Sequence, residues 1–467
     1  MFVNEKLQEF ERYIRNKRVA LIELDDSSLP LIDYFIDKGA SVTVFDKRSI
    51  DEVDKTILDK VNSRSINFSF GEHNLINLVG FDLIFRSPAY RDDIPELQAE
   101  SLRGAIITSE LEMLIEMCPG KVIGVTGNEG KTTTTSLICE IVKERGYECY
   151  IGENNITSLF TKIGEMKPNC VLVLELNSIQ LMGIHSSPEI AIITNISKEY
   201  PDIHENFEEY VGCIKNIFKY QDKTGKLIIN YDDNITNGFA KEANGTVRFF
   251  SSKTKLDDGV IYDDNIIKSC EDGVKMHIMT IDDAISVYGV HNYANICAAI
   301  AATEEFIDAY TQSRAITKFK GVEHGLELVR NINGIRWYND SIGTTPTRTI
   351  SSLNAFKEKI VLIIGGNDKN VEYDCILRPI IRKASKLILS GTVADKIELP
   401  ITEILKNSSK GLQIYRCNSL EECVKKANEI AETSEIVLFS PASASFEINK
   451  NYDEVGKEFK ELVNALS

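Results

Sequence analysis

A chain of 467 residues, 43% of them hydrophobic, is too long for one hydrophobic core and predicts about two to four domains, of which we favour three. Its 70 acidic and 53 basic side chains leave a net charge of −17, which argues against nucleic acid or an anionic membrane as a partner, because such partners are bound by clustered lysine and arginine. The ten cysteines are scattered singly with no CxxC pair, so neither a zinc knuckle nor a disulfide framework is indicated.

The N-terminal segment, MFVNEKLQEFERYIRNKR, has the pattern of an amphipathic charged helix without the apolar centre of a signal peptide. No apolar run is long enough to span a bilayer, so we expect a cytoplasmic protein without membrane insertion. A strand at 19–24, a helix at about 29–38 and a strand at 41–46 then predict the opening βαβ unit of a doubly wound sheet.

The loop after the first strand is unusual for such a unit. It reads ELDDSS, with no glycine and three acids, and is a poor cradle for a diphosphate. Asp46 ends the second strand, where a carboxylate commonly meets a ribose or uridine group, although a surface acid would explain it equally well. Any nucleotide here is expected to bind in another way, and a domain boundary is expected near residue 109.

The stretch KVIGVTGNEGKTTTTSLICE predicts a strand, a phosphate loop and a helix. Gly127 and Gly130 let successive backbone N–H groups face one anion. Lys131 can reach the β- and γ-phosphates of a nucleotide, and the Thr132 hydroxyl can bind the magnesium that bridges them. The strict P-loop has a glycine where this chain has Val125, so the loop is a variant. We interpret it as an ATP site; the alternative is a glycine-rich turn that opens an ordinary helix.

Two further apolar strands, at about 170–174 and 190–195, should lie beside the phosphate-loop strand in a parallel sheet. Glu175 ends the first of them and is positioned to hold magnesium, although a carboxylate at a helix N-terminus would look the same. The segment GVHNYAN at 289–295 has amide and imidazole groups at a spacing that can bracket an adenine, although a helix-capping role would explain Asn292 equally well.

A third α/β alternation begins after Gly321. Three of its apolar strands each run into a polar cluster: NDS at 339–341, GGNDK at 365–369 and SPASAS at 440–445. Ligands of open α/β sheets bind outside the carboxyl ends of the strands, so we expect the three clusters to converge on one site.

Seven segments in this order resemble the Mur ligase family: GVTGNEGKTTTT, ELNSIQL, ITNIS, GVHNYAN, WYNDS, GGNDK and SPASASFE. The resemblance covers nearly the full chain, and the last two segments point to the D-glutamate-adding member. It implies an α/β fold of three domains, each an open, mostly parallel sheet with helices. These would be a Rossmann-like N-terminal domain for the UDP substrate at 1–109, a P-loop ATPase-like central domain for ATP at 110–320, and a Rossmann-like C-terminal domain for the amino acid at 321–467.

The chemistry implied by the resemblance is ATP-dependent amide-bond formation in peptidoglycan precursor synthesis. The carboxylate of UDP-N-acetylmuramoyl-L-alanine would attack the γ-phosphate to give an acyl phosphate, and the amine of D-glutamate would displace phosphate. Most of the catalysis would come from positioning and charge neutralisation. ATP and Mg²⁺ are the expected cofactors, and a monomer is expected.

The resemblance also implies roles for individual residues. The catalytic set is Lys131, Glu175, Asp340 and Lys369. The nucleotide site comprises Gly127, Asn128, Glu129, Gly130, Lys131, Thr132, Thr133, Asn292, Asn295 and Asp340. Magnesium would be held by Thr132 and Glu175. Asn154 and Ser178 would contact the muramoyl-alanine part, and the D-glutamate pocket would use Thr344, Lys369, Ser445 and Tyr452.

Several positions depart from the family pattern. An Asn- or Asp-His pair and a carbamylated lysine, which help to hold a second magnesium in the family, are replaced by Glu199-Tyr200 and Ile214. Lys215 is adjacent but lies about 100° round the helix and should point elsewhere. His204 matches a different family histidine, and a common family arginine is replaced by Gly325.

Changing the groups that support a metal ligand lowers metal affinity or activity by roughly 10–100-fold, so loss of the ligands themselves should lower it at least as much. Two alternatives to an ordinary ligase therefore stay open. One is a catalytically weak or inactive nucleotide-binding paralog with a regulatory role, which an altered second-metal site favours. The other is a family ligase with a changed acceptor, which an altered loop after the first strand, together with intact catalytic residues, would favour. This chain shows both changes.

Overall fold

The computed structural model describes residues 2–25, 28–62, 64, 66–88, 90–91, 93–153, 156–198, 203–281, 290–367, 372–406, 411–443, 446 and 450–466. The chain divides into two compact units, Met1–Thr280 with Ala294–Ile316, and Ile281–Tyr293 with Thr317–Ser467. The first unit contains two β-sheets and the second contains one. None of the helices in these ranges is both long and apolar enough to cross a bilayer.

The N-terminal sheet has five parallel strands in the order β3-β2-β1-β4-β5. The strands are β1 Arg18–Ile22, β2 Ser41–Asp46, β3 Asn67–Phe70, β4 Leu83–Phe85 and β5 Ile106–Thr108. The helices are α1 Glu5–Ile14, α2 Leu29–Asp37, α3 Lys55–Asn62, α4 Pro95–Leu102 and α5 Glu110–Met117. The predicted βαβ unit is confirmed. Strand β1 ends at Ile22 rather than at residue 24, because Glu23 takes a left-handed backbone conformation with φ 83°.

The central sheet has nine strands in the order β14-β13-β12-β11-β10-β9-β6-β8-β7. The strands are β6 Lys121–Thr126, β7 Cys149–Gly152, β8 Val171–Glu175, β9 Ile190–Ile193, β10 Lys226–Asn230, β11 Thr246–Ser251, β12 Gly259–Asp263, β13 Ile266–Glu271 and β14 Val274–Thr280. The helices are α6 Lys131–Glu144, α7 Ile156–Thr161, α8 Ser178–Leu181, α9 Phe207–Lys219, α10 Asn234–Gly238, α11 Val290–Thr303 and α12 Ala309–Lys318.

The two strands that flank the phosphate-loop strand are those predicted, since β6 pairs in parallel with β8 and with β9. All three are buried along almost their whole length, as expected for a parallel sheet covered on both faces. Burying one Ile or Leu side chain contributes about 1.5–3 kcal/mol, so these apolar runs hold the loops at their carboxyl ends in place. The antiparallel strands β12, β13 and β14 were not predicted.

The C-terminal sheet has six strands in the order β15-β16-β20-β17-β18-β19, parallel except for the β15–β16 pair. The strands are β15 Glu327–Ile332, β16 Ile335–Asn339, β17 Ile360–Gly365, β18 Ala384–Ser390, β19 Gln413–Cys417 and β20 Ile436–Phe439. The helices are α13 Pro346–Ala355, α14 Asp374–Lys383, α15 Val393–Lys406, α16 Leu420–Ile430 and α17 Tyr452–Asn464. Strands β16, β20 and β17, which run into the three predicted polar clusters, are neighbours.

Candidate active site

The phosphate loop lies between the end of β6 and the start of α6, and its two glycines are required by its shape. Gly127 and Gly130 have φ angles of 133° and 83°, which L side chains rarely adopt. A Cβ on Gly127 would lie 2.2 Å from Thr194 Oγ1, and one on Gly130 would lie 2.3 Å from Asn295 Oδ1. Both contacts are closer than real Cβ atoms make, so only glycine fits this turn.

The middle of the loop is held by Asn195, which follows β9. Its backbone carbonyl accepts from the Asn128 N–H at 3.1 Å, and its Oδ1 accepts from the Glu129 N–H at 3.0 Å. The Glu129 carbonyl accepts from Asn195 Nδ2 at 2.8 Å and from Thr194 Oγ1 at 2.6 Å. Because the first N–H groups of a helix lack intrahelical acceptors, those at the start of α6, around the half-buried Thr133, are suited to face an anion.

The predicted phosphate-binding lysine and the two predicted magnesium ligands lie beside the phosphate loop. Lys131 Nζ donates to the carbonyls of Gly127 at 2.8 Å and Asn128 at 3.1 Å, so the cation is held against the loop. The Thr132 hydroxyl donates to Glu175 Oε1 at 3.0 Å, because the parallel register places Glu175 beside the end of β6. A hydroxyl and a carboxylate that is 6% exposed are the oxygen donors that Mg²⁺ prefers. The glycine cradle and this donor pair therefore fit a nucleotide with magnesium.

The predicted adenine residues lie on the first turns of α11, and both Asn292 and Asn295 are buried. The Asn295 amide packs against Gly130 and so belongs to the phosphate-loop surroundings. A contact with adenine stays a prediction, as does the role of Asn292.

Ser178 opens α8 and lies 2.8 Å from Nε2 of His204 through its Oγ. Both side chains are buried, and burial lowers the pKa of His204, which keeps the imidazole neutral at pH 7. Cys213 Sγ lies 3.9 Å from Nδ1 of the same ring. The substrate role of Ser178 stays a prediction, and Asn154 lies outside the described residues.

Of the positions where the family's second-metal residues are replaced, the structure describes Ile214 and its neighbour Lys215. Ile214 is 1% exposed and belongs to the apolar core beneath α9. Lys215 Nζ donates to Glu242 Oε1 at 2.7 Å and Oε2 at 2.8 Å, which confirms that it points elsewhere. Within the described ranges, no group of three or more His, Cys, Asp or Glu side chains is arranged to hold a metal ion. Glu199 and Tyr200 lie outside those ranges.

In the second unit, the polar clusters after β16, β20 and β17 converge as predicted. Asp340 Oδ2 accepts from Ser440 Oγ at 2.7 Å and from Ser352 Oγ at 2.6 Å, and its Oδ1 accepts from the Leu326 N–H at 3.2 Å. Ser443 Oγ donates to the carbonyl that ends β17 at 3.0 Å. Burial raises the pKa of Asp340 to about 6. Both of its oxygens are thus engaged within this unit, and a role toward nucleotide stays a prediction.

The predicted D-glutamate pocket is only partly described. Thr344 is half-buried in the turn after β16. Tyr452 is 42% exposed at the start of α17. Lys369 and Ser445 lie outside the described residues, so the pocket stays a prediction.

Strand β2 ends at Asp46, the position where a carboxylate commonly meets a ribose or uridine group, and Asp46 forms an ion pair with Arg48. Asp46 is 1% exposed, so the alternative of a surface acid is wrong. Arg48 donates to Asp46 Oδ1 through Nε at 3.0 Å and to Oδ2 through Nη2 at 2.6 Å, and the Leu24 N–H donates to Oδ2 at 3.0 Å. Burial acts to raise the pKa of Asp46, but these hydrogen bonds hold it below its ordinary value.

Two residues of the site were not singled out by the sequence. Asn195 could have been found, because it follows a buried parallel strand at the carboxyl edge where ligands bind. Tyr210, whose hydroxyl donates to Asn128 Oδ1 at 2.8 Å, carries no sequence signal for this contact.

Comparison with known proteins decides the family. Residues 125–303 match the Mur ligase middle domain, and residues 325–443 match the Mur ligase glutamate ligase domain. The chain belongs to the Mur ligase family. It is 44% identical over 467 residues to the UDP-N-acetylmuramoylalanine--D-glutamate ligase of Acetivibrio thermocellus, covering 99% of this chain and 100% of the relative. A Mur ligase of the same name from Ruminiclostridium cellulolyticum is 40% identical, with the same coverage.

Solved structures of Mur ligases share the fold at low sequence identity. UDP-N-acetylmuramate-alanine ligase MurC from Thermotoga maritima has a TM-score of 0.56 at 19% identity, covering 96% of this chain and 99% of that chain. MurF ligase from Thermotoga maritima, solved in complex with ADP, has a TM-score of 0.56 at 16% identity, covering 97% and 96%. The fold of this chain, with mostly parallel sheets and helices, is therefore the Mur ligase fold predicted from the sequence.

Proposed function

We propose that this chain is an ATP-dependent ligase that joins D-glutamate to UDP-N-acetylmuramoyl-L-alanine in peptidoglycan precursor synthesis. The main observation in support is the phosphate loop, where Lys131 is held against the loop and Thr132 Oγ1 lies 3.0 Å from Glu175 Oε1. The chain is also 44% identical, over its full length, to a relative named UDP-N-acetylmuramoylalanine--D-glutamate ligase. ATP would supply the energy of amide formation, and Mg²⁺ would neutralise charge on its phosphates.

We assign each residue of the central site a role that its geometry supports. The start of α6 and Lys131 would hold the phosphates, while Thr132 and Glu175 would hold magnesium. Asn195 keeps the loop in the binding shape by fixing both the N–H and the carbonyl of Glu129. The buried, neutral His204 orients the Ser178 hydroxyl, which would contact the muramoyl-alanine part of the acceptor.

We also propose roles for the three sheets and for the remaining site residues. The three sheets would correspond to domains at 1–109, 110–320 and 321–467, which hold the UDP moiety, ATP and D-glutamate. Thr344, Lys369, Ser445 and Tyr452 would form the D-glutamate pocket, since a lysine and hydroxyl groups suit a substrate with two carboxylates. Asp340, Asn292 and Asn295 would face the nucleotide. We expect a monomer in the cytoplasm.

The second-metal step is where this ligase would be weakest. Ile214 is sealed in an apolar core and cannot be carbamylated or ligate a metal. A neutral tyrosine at position 200 is a poor magnesium ligand compared with a carboxylate or carbamate. With less neutralisation, the acceptor carboxylate and the γ-phosphate meet as like charges, so activation of the carboxylate should be slow while nucleotide binding is spared.

That weakness is tested by the ligation rate of Tyr200→His combined with Ile214→Lys in the presence of bicarbonate, with Ile214→Leu as a control that keeps the core apolar. The double variant is expected to be faster than wild type, and the control is not. Wild-type turnover at about 1–10³ s⁻¹, unimproved by the double change, would show that another group supplies the missing charge.

The acceptor is tested by phosphate release with ATP, Mg²⁺ and D-glutamate, supplying either UDP-N-acetylmuramoyl-L-alanine or the same molecule without alanine. Release only with the alanine-bearing acceptor is expected. Release with neither, in a protein that binds ATP, would favour a nucleotide-binding paralog, and release with a different acceptor would favour changed specificity.

A further inference from the structure

The first turn of α9 contacts two distant segments of the first unit. The helix is capped by Asn206, whose side chain accepts from the Glu209 N–H at 2.9 Å. Glu209 and Tyr210 are adjacent but project about 100° apart round the helix. Glu209 contacts Arg91, which follows β4 of the N-terminal sheet, and Tyr210 contacts the phosphate loop.

The Tyr210 contact fixes Asn128 of the phosphate loop. The tyrosine hydroxyl and the Ser197 N–H both donate to Asn128 Oδ1 at 2.8 Å. The carbonyl of the same asparagine accepts from Lys131 Nζ at 3.1 Å. Tyr210 is 3% exposed and packs edge to face against the His204 ring, with centroids 5.5 Å apart. A buried hydroxyl in this position restricts the loop that carries the predicted phosphate-binding lysine.

The Arg91 contact ties the same turn to the N-terminal sheet. Its Nη1 donates to Glu209 Oε1 at 2.6 Å and lies 3.8 Å from Glu205 Oε1. The other oxygen of Glu209 accepts from the Glu205 N–H at 2.6 Å, so the ion pair also closes the start of the helix. Both partners are partly exposed, which makes the pair a modest but specific contact.

We propose that the first turn of α9 couples the N-terminal sheet, through Arg91 after β4, to the phosphate loop, with Tyr210 as a positioning residue for Asn128. The proposal rests on the proposed function, because it takes the N-terminal sheet as the acceptor-binding part and the loop as the nucleotide-binding part. Both contacts are made by one short helical turn, so a displacement of Arg91 should move this turn and change its contact with Asn128. Coupling of this kind is reciprocal, and nucleotide affinity is its direct readout.

Tyr210→Phe tests the loop end of this coupling. It removes one buried hydrogen bond and is expected to raise the Kd for ATP·Mg²⁺ about three- to tenfold. Tyr262→Phe is the matched control, because Tyr262 also donates to an asparagine Oδ1, that of Asn265, at 2.8 Å, in the β12–β13 hairpin. The control is expected to leave the Kd unchanged, and equal Kd values for the two variants would overturn the proposal.

Arg91→Gln tests the other end and is expected to raise the same Kd about two- to threefold. Its control is Arg64→Gln, which removes an ion pair between the loop after α3 and Asp33 of α2, 2.6 Å between Nη2 and Oδ2. In the double variant Arg91→Gln with Tyr210→Phe, the Kd should match that of Tyr210→Phe alone, because the coupling is already broken. Multiplicative effects in the double variant would overturn the coupling.

Amide hydrogen exchange in the absence of nucleotide separates this proposal from the proposed function. The N–H groups of Asn128 and Glu129 are hydrogen-bonded to Asn195 and should exchange faster in Tyr210→Phe, while strands of the C-terminal sheet keep their wild-type rates. Unchanged exchange at the loop would overturn the positioning role. Failure of the wild type to bind nucleotide would instead contradict the proposed function, and the exchange result would still decide the role of Tyr210.

Discussion

The Lys131 side chain is the cation that the phosphate loop presents at the start of α6. A charge-assisted hydrogen bond contributes about 1.5–3 kcal/mol, so Lys131→Ala should weaken ATP binding by roughly 10–100-fold in a nucleotide titration. Lys143→Ala, on the last turn of the same helix, removes the same charge away from the loop and should leave affinity unchanged. Equal affinities for wild type and Lys131→Ala would contradict an ATP site here.

The buried carboxyl group of Asp340 should make the stability of the protein depend on pH. Its pKa in the folded protein is about 6, above the ordinary value of about 3.9, so the folded state binds the extra proton between these pH values. Its contribution to the free energy of unfolding is therefore greatest at low pH and is lost, by about 2–3 kcal/mol, as pH rises from about 4 to about 6.

The measurement is denaturant unfolding at several pH values for wild type and Asp340→Asn. The asparagine cannot titrate, so the difference between the two free energies should change with pH over this window in the stated direction. Parallel curves would show that Asp340 keeps an ordinary pKa and is reached by solvent.

The strand–loop–helix around the phosphate loop requires glycine at position 130 for a steric reason that can be separated from backbone strain. Gly130 and Gly146 stand at opposite ends of α6 and have similar φ angles, 83° and 93°. A Cβ on Gly130 would clash with Asn295, whereas one on Gly146 would meet nothing within 4 Å.

Gly130→Ala is therefore expected to lower both stability and ATP affinity, the latter by at least about tenfold, because Asn295 and the loop must move apart. Gly146→Ala should cost only the conformational strain, about 1 kcal/mol, with no change in affinity. Thermal unfolding and nucleotide titration of the pair make the comparison. Similar affinity in both variants would mean that the loop tolerates the displacement.

The sequence could predict the strands that carry the site but not every element of the sheet. Buried parallel strands such as β6, β8 and β9 are continuous apolar runs and stand out, as do the clusters that follow them. The antiparallel β12–β14 extension has no helices between its strands, so the alternation of strands and helices that identifies the parallel strands does not reveal it. Its two hairpin turns could have been recognised from the sequence, because Asp264-Asn265 and Asp272-Gly273 are residue pairs that favour tight hairpins, and both take the positive φ angles of such turns.

For the whole molecule, sheet topology explains which distant contacts were predictable. Asp340 and Ser440 lie 100 residues apart yet meet because their strands are neighbours and end at one edge, a general rule that sequence can use. Tyr210 and Asn128, 82 residues apart, meet through a helix whose placement depends on packing, which no pattern in the chain specifies. The contacts of Asp46 with Arg48 and Leu24 likewise became visible only in the fold.

The most direct test of the proposed ligase is product formation from UDP-N-acetylmuramoyl-L-alanine, ATP and Mg²⁺ with either D- or L-glutamate, followed by mass spectrometry. The proposed function predicts the D-glutamyl product with D-glutamate, none with L-glutamate, and loss of product in Lys131→Ala. Absence of product with D-glutamate in a wild-type protein that binds ATP, or equal product from both enantiomers, would contradict it.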